Sequence, residues 1–356
     1  MIKVGKQSIE LNNVYVHESG VVVGPKEGEG PLYPYFDKIY DDLHIGGEKS
    51  WEKAEMRMFK DALDICLEKN NKNDKDIDAI VCGDLNNQIV VGNYVLRDYE
   101  IPYLGVFGAC STSIESIIVG SQFIEANNFK NVLVGTSSHN ATAERQFRYP
   151  TEYGGKKVDT STLTVTAAGL ALLSNRFSDI KLTRATIGRV YDAEIKDSLD
   201  MGRVMSIAAF YTIKQHFDDF CISPDEYDLI LTGDLSFYGK DMLIKIFDEY
   251  NIDMHKNYND CGLMIYDRDN QNVLAGGSGC GCCAAVSYGY ILKAMREKKY
   301  KKVLLVATGA LLNPIMVAQK ETIPSIAHAI VLERVEWLWK YYMHFLLVVH
   351  YVQLVN

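Results

Sequence analysis

Ala79-Ile-Val-Cys-Gly-Asp-Leu85, then Phe107-Gly-Ala-Cys-Ser-Thr-Ser113, then Asn131-Val-Leu-Val-Gly-Thr136: this succession decides the fold, because the chain writes it twice. The second copy reads Leu229-Ile-Leu-Thr-Gly-Asp-Leu235, Gly276-Gly-Ser-Gly-Cys-Gly-Cys282 and Lys302-Val-Leu-Leu-Val-Ala-Thr308. Each copy begins with a short aliphatic run ending in Gly-Asp-Leu, which predicts a buried strand and a turn. A Gly/Cys turn then opens a helix, and a second apolar run predicts another buried strand. A duplicated α/β unit with a cysteine at a helix entrance predicts a pocket between two halves.

The rest of the chain fits that expectation. Its 356 residues suffice for two such units and a sizeable core. With 47% hydrophobic and 23% charged residues, it has the composition of a globular domain. A net charge of −9 argues against a broad nucleic-acid footprint, so no nucleic-acid partner is expected, though a local basic pocket is compatible with it. Met1-Ile-Lys-Val-Gly-Lys-Gln7 carries no hydrophobic signal segment. The cysteines (66, 82, 110, 221, 261, 280, 282, 283) lie mostly in apolar runs or at turns, as in a reducing compartment rather than a secreted disulfide framework.

Helical periodicity from Trp51 to Asn70 puts Trp51, Ala54, Met58, Ala62, Ile65 and Cys66 near one face. Asn70 to Asp76 breaks it, and Ile77 to Cys82 reads as a strand. The same order returns in a helix from Met201 to about Phe220, a turn at Ser223-Pro224 and a strand from Tyr227 to Thr232. Gly24-Pro-Lys-Glu-Gly-Glu-Gly-Pro31 reads as a surface loop. The internal boundary is expected between Ser174 and Leu182, giving halves at 1–176 and 177–334. Val331-Leu-Glu-Arg334 reads as the end of the last strand, and 335–356 is an anomalous apolar tail. Its run after Lys340 holds two histidines and is shorter than the ~20 residues of a membrane-spanning helix. A packed terminal element, a membrane-surface segment and an extension from a shifted reading frame all fit; the abrupt compositional break favours the last.

Thr112-Ser-Ile-Glu115 predicts a capping box, which sets Cys110 just before a helix N-terminus. Such a position lowers a thiol pKa and suits an acyl-accepting nucleophile. A small buried residue filling a tight turn is the other reading of Cys110, and the repeat of the turn around Cys280 fits it equally. Cys280-Gly-Cys-Cys283 has C-x-x-C spacing but no second ligand pair beyond Cys261, so no metal site is expected.

Phe107-Gly-Ala-Cys-Ser-Thr-Ser113 and the internal repeat resemble thiolase-fold condensing enzymes. More specifically, the stretches Ser137 to Gly155, Asn259-Asp-Cys-Gly-Leu-Met-Ile-Tyr266 and Val306-Ala-Thr-Gly-Ala-Leu-Leu312 resemble the stage V sporulation protein AD family, over roughly residues 1–334. That resemblance implies a five-layer thiolase-like αβαβα fold of two duplicated halves, and a homodimer. It implies a subunit that binds dipicolinic acid, free or with calcium, and helps take it into the developing spore. Its place would be the forespore, cytoplasmic or peripheral at the inner spore membrane, beside the SpoVA membrane subunits. No cofactor is implied.

Condensing enzymes of this fold also need His/His or His/Asn in the second half. Here one of those places reads Thr232-Gly-Asp-Leu235 and the other Gly276-Gly-Ser-Gly279, so catalysis is not expected. The alternative is an acyl-transferring enzyme, like thiolase or ketoacyl synthase III, with Cys110 as nucleophile. A third reading is an adaptor that only holds membrane partners together.

A site for a flat dicarboxylate needs cationic forks, donors and an apolar face. The segment 139–157 offers His139, Arg145, Arg148, Lys156 and Lys157 among Phe147, Tyr149 and Tyr153. The same residues also suit a surface loop or subunit contact, with Glu144 and Glu152 as counterions. Further candidates are Cys110; Asp84, at a strand end like its equivalent Asp234, where capping the next turn is the simpler role; and Thr166, in a segment that lines the pocket in relatives. His328, expected at the start of the last strand, also reads as a hydrogen-bonded core residue, and Lys320 as a surface lysine.

Overall fold

The computed structural model describes residues 1–147 and 157–336. Ten strands form one hydrogen-bonded path. In chain order they are β1 (Ser8–Val23), β2 (Ala79–Asp84), β3 (Tyr103–Gly105), β4 (Asn131–Ser138), β5 (Ala167–Ser174), β6 (Ile180–Thr186), β7 (Leu229–Thr232), β8 (Tyr258–Asp260), β9 (Lys302–Ala310) and β10 (Pro324–Arg334). The spatial order is β8-β7-β9-β10-β6-β1-β5-β4-β2-β3. It reads the same outward from the β6–β1 junction in both directions. On each side two antiparallel pairings are followed by two parallel ones. Registers repeat as well, with Ala79 opposite Val132 and Leu229 opposite Val303. Even the connections match: Asp78 accepts the amides of Lys130 and Asn131, and Asp228 those of Lys301 and Lys302.

The main helices are α1 (Trp51–Lys69), α2 (Val90–Val95), α3 (Thr112–Glu125), α4 (Asn140–Phe147), α5 (Met201–Phe220), α6 (Ser236–Glu249) and α7, which starts as Cys280–Ala284 and runs on through Ala285–Ile291 into Leu292–Arg296. Side-chain alternation along the strands sorts them into five layers. Val81, Val132 and Val134 from one half and Leu229, Leu231, Val303 and Leu305 from the other share a central core with α3 and α7. The opposite faces carry Ile80, Cys82 and Leu133 against α1 and α2, and Ile230, Leu304 and Val306 against α5 and α6. This is the expected thiolase-like αβαβα arrangement. In β2, β5 and β7 both faces are buried, which is why these strands read as unbroken apolar runs.

One expectation changes. The stretch 24–31 is not a surface loop: Pro25–Gly28 forms a helical turn and Glu27 is buried. Its carboxylate accepts from the Thr166 amide and meets the Tyr266 hydroxyl, and those long-range donors overrode the polar composition. The two sheet edges also differ. Strand β8 is covered, with Tyr258 and Asp260 buried, whereas in β3 Leu104 is 43% exposed.

Candidate functional site

The two Gly/Cys turns meet at the centre of the molecule. Ala109 takes a left-handed φ of 52° and Gly279 a φ of 98°, so Cys110 and Cys280 both stand at helix entrances. They share one apolar cluster with Leu85 and Ala143. The predicted capping box does not form. Thr112 Oγ1 turns back to donate to the Ala109 carbonyl and accept from the Gly108 amide, and Ser111 is the N-cap. The tight turn before the helix competes successfully for the hydroxyl that a box would use. Gly309 on β9 completes the contact between halves: a Cβ there would clash with the Gly108 carbonyl oxygen.

Above these turns lies a small cavity of about 40 Å³. Its walls are Leu85, Phe107, Ala109, Ala143, Phe147, Met201, Ala310 and Leu312, and Cys110, Ser278, Gly279 and Thr164 complete the lining. Asp234 sits behind this floor at 1% exposure. One of its oxygens accepts from Ser278 Oγ and the Gly279 amide, both at 2.9 Å, and the other from Thr308 Oγ1 at 2.6 Å. The Asp234 carboxyl also acts electrostatically on the Cys110 thiol. Burial first, and Asp234 second, push the Cys110 pKa well above its ordinary value. The cysteine is therefore a neutral thiol despite its place at a helix entrance.

Asp234 and Asp84 occupy equivalent strand ends but do different things. Asp84 caps the turn that follows it, accepting from the amides of Asn86 and Val91 at 2.8 Å each. Asp234 was expected to do the same. Instead Asp260 accepts from Leu235 and Ser236, both at 2.9 Å, and Asp234 is free to face the cavity floor. Strand pairing explains the exchange: Asp260 lies opposite Thr232, where the first half has Gly105 opposite Cys82. Aligning the two copies would have shown this extra carboxylate. Ser278 and Thr308 had no such signal, because their role depends on Asp234 reaching 44 and 74 residues along the chain.

Of the sequence candidates, Cys110 lines the cavity. His139 is buried between the Leu43 carbonyl and the Ala141 amide, stacked on Trp51, and burial lowers its pKa to about 4. Arg145 pairs with Glu52 on the outward side of α4, the helix whose Ala143 and Phe147 line the cavity. Arg148 lies outside the described residues, as do Tyr149, Glu152, Tyr153 and Lys156. Lys157 pairs with Glu144 at 2.8 Å. Thr166 is buried and accepts from the Asn140 amide. His328 lies within β10 rather than at its start; it accepts from the Gly188 amide, and burial lowers its pKa to about 4. Lys320 is exposed beyond the short helix Pro314–Ala318.

A second polar cluster underlies α4. Glu55 and Asp84 are buried together, with Ser137 and Asn86 donating to Glu55. Burial and the neighbouring Asp84 push Glu55 up to about 8.

Residues 5–333 match the family model for stage V sporulation protein AD (SpoVAD). The chain is 51% identical over 331 residues to the stage V sporulation protein AD of Bacillus subtilis (strain 168), an alignment spanning 93% of this chain and 97% of that protein. Among solved structures it is similar to 3-oxoacyl-[acyl-carrier-protein] synthase III of Aquifex aeolicus VF5, with a TM-score of 0.54, 14% identity and coverage of 90% and 99% of the two chains. Human mitochondrial 3-ketoacyl-CoA thiolase in complex with CoA gives a TM-score of 0.57 at 12% identity, covering 92% and 100%. Cerulenin-bound OleA of Xanthomonas campestris gives 0.59 at 13%, covering 91% and 97%. At these identities the structural likenesses establish the thiolase-type fold.

Proposed function

The chain belongs to the stage V sporulation protein AD family, and from that premise we propose that it serves sporulation as a binding protein for dipicolinate. The condensing-enzyme scaffold is used for recognition rather than bond-making. The observation that carries this reading is the buried Asp234 carboxyl behind the cavity floor, held by Ser278, Gly279 and Thr308 beside Cys110. Acyl transfer needs a thiolate, which enzymes obtain by placing positive charge near the sulfur. Here burial and a carboxylate drive the thiol the other way. Asp234 and Ser278 also stand where condensing enzymes need groups that polarise a thioester carbonyl. Asp234 accepts from three donors rather than donating, and the Ser278 hydroxyl is committed to it.

The aromatic and aliphatic walls suit a flat ring, and Arg145 and Lys157, cations at α4 among the described residues, are the groups proposed to attract its carboxylates. The ligand travels free or as its calcium chelate, and the protein works at the forespore face of the inner spore membrane with the SpoVA membrane subunits. No helix among the described residues is long and apolar enough to cross a membrane, so the attachment proposed is peripheral. The open edge of β3, with Leu104 and Phe107 both exposed, is the surface proposed for a second copy of the chain.

Calorimetric titration with dipicolinate, with and without calcium, tests the reading in the wild type, Cys110→Ala and Arg145→Ala. Saturable binding that survives Cys110→Ala and weakens roughly tenfold in Arg145→Ala supports it. No binding in any condition, together with acylation of Cys110 by a thioester, would replace it with the condensing-enzyme reading.

A further inference from the structure

Resting on the dipicolinate reading, we infer that the cavity takes the ligand ring-first, with both carboxylates toward the mouth, because the floor already holds its own anion. A helix N-terminus ordinarily attracts negative charge through its free amides. At the head of α7 the Gly279 amide is already bonded to Asp234, and the Ser278 and Thr308 hydroxyls donate to the same carboxylate. At the head of α3 the Ser111 and Thr112 amides are bonded to the Gly108 and Ala109 carbonyls. Asp234 thus fills the place an incoming carboxylate would take. Burial pushes the Asp234 pKa up while its three donors pull it back. A ligand carboxylate pushed against Cys110 and Ser278 would meet this buried acceptor with no described lysine or arginine lining the cavity to offset it. An aromatic ring edge meets no such opposition, and Leu85, Phe107, Phe147, Met201 and Leu312 supply an apolar sleeve for it.

The ring atom that reaches the floor is then carbon 4, opposite the pyridine nitrogen. Calorimetry should show an analogue with a bulky substituent at carbon 4 binding the wild type at least about tenfold more weakly than dipicolinate. Cys110→Ala, which deepens the floor, should recover part of that loss. Equal affinities for the two ligands, or a tenfold gain for dipicolinate in Asp234→Asn, would overturn the ring-first orientation.

A second arm needs neither the ligand nor a variant. Iodoacetamide and iodoacetate differ mainly in charge, and the exposed Cys221 serves as an internal reference. The rate ratio of iodoacetate to iodoacetamide should be at least about tenfold lower at Cys110 than at Cys221. Equal ratios would overturn the anion-excluding floor. If the anion is excluded but dipicolinate does not bind, the dipicolinate reading falls and the floor's selectivity stands.

Discussion

Asp234 and Asp84 end equivalent strands, yet one governs a cysteine and the other caps a turn. The difference traces to a third residue, Asp260, which takes over the capping of Leu235 and Ser236. Asp234→Ala would leave the Ser278 hydroxyl, the Thr308 hydroxyl and the Gly279 amide without their acceptor in a buried setting. Unpaired buried donors cost about 1–3 kcal/mol each, so a loss of at least about 3 kcal/mol is expected, read from the urea midpoint. Asp234→Asn removes the charge while keeping the shape. At fixed pH it should speed iodoacetamide labelling of Cys110 several-fold relative to Cys221, because the carboxylate's contribution to holding the thiol protonated is gone. An unchanged Cys110 rate in a folded Asp234→Asn protein would show that burial alone holds the thiol neutral.

At the level of elements, the strands and long helices were legible because their burial is two-sided or periodic. Ala79 to Thr136 and Leu229 to Thr308 carry that pattern in their own residues, and α5 runs from Met201 to Phe220 as read. The cavity floor was not legible in the same way, since Asp234 meets its partners 44 and 74 residues along the chain. The capping box at Thr112 failed for a related reason: local spacing cannot reveal that the preceding turn claims the hydroxyl. Cys110 was found because its turn is itself a sequence motif, whereas Ser278 and Thr308 matter only through Asp234. A contact that does cross the halves yields a prediction at Gly309. Its missing side chain lets β9 approach the Cys110 turn, and an alanine Cβ would press on the Gly108 carbonyl oxygen, which is backbone and cannot swing away. Gly309→Ala should cost about 1–3 kcal/mol in denaturant unfolding and weaken ligand binding by displacing the floor. Wild-type stability and affinity together would mean that the two halves can separate locally without disturbing the cavity.

Across the whole molecule, buried ionisable groups pull stability in opposite directions with pH. His139 and His328, at about 4, and His216, at about 3, are kept neutral by burial. Their folded pKa values lie below the unfolded value of about 6.5, so their contribution is complete above that pH and is lost as pH falls toward 4. Glu55, raised to about 8, and Asp260, raised to about 6, act in the reverse sense. Their folded forms hold a proton that the unfolded chain releases at about 4, so stability declines as pH rises from there through 6 and 8. The two limbs predict a melting temperature that peaks at mildly acidic pH and falls on both sides. Glu55→Gln separates the alkaline limb from the rest. A neutral amide can still accept from Ser137 but no longer loses a proton beside Asp84. The variant should therefore flatten the decline between about pH 6 and 8, worth about 2–4 kcal/mol at its upper end, and leave the acid limb unchanged. Because α4 carries cavity-lining Ala143 and Phe147 over this carboxyl pair, dipicolinate affinity should follow the same alkaline limb in the wild type and lose that dependence in Glu55→Gln. A melting temperature that climbs steadily from pH 5 to about 9 would refute the paired-carboxyl account. An alkaline decline that persists in Glu55→Gln would shift it to other groups.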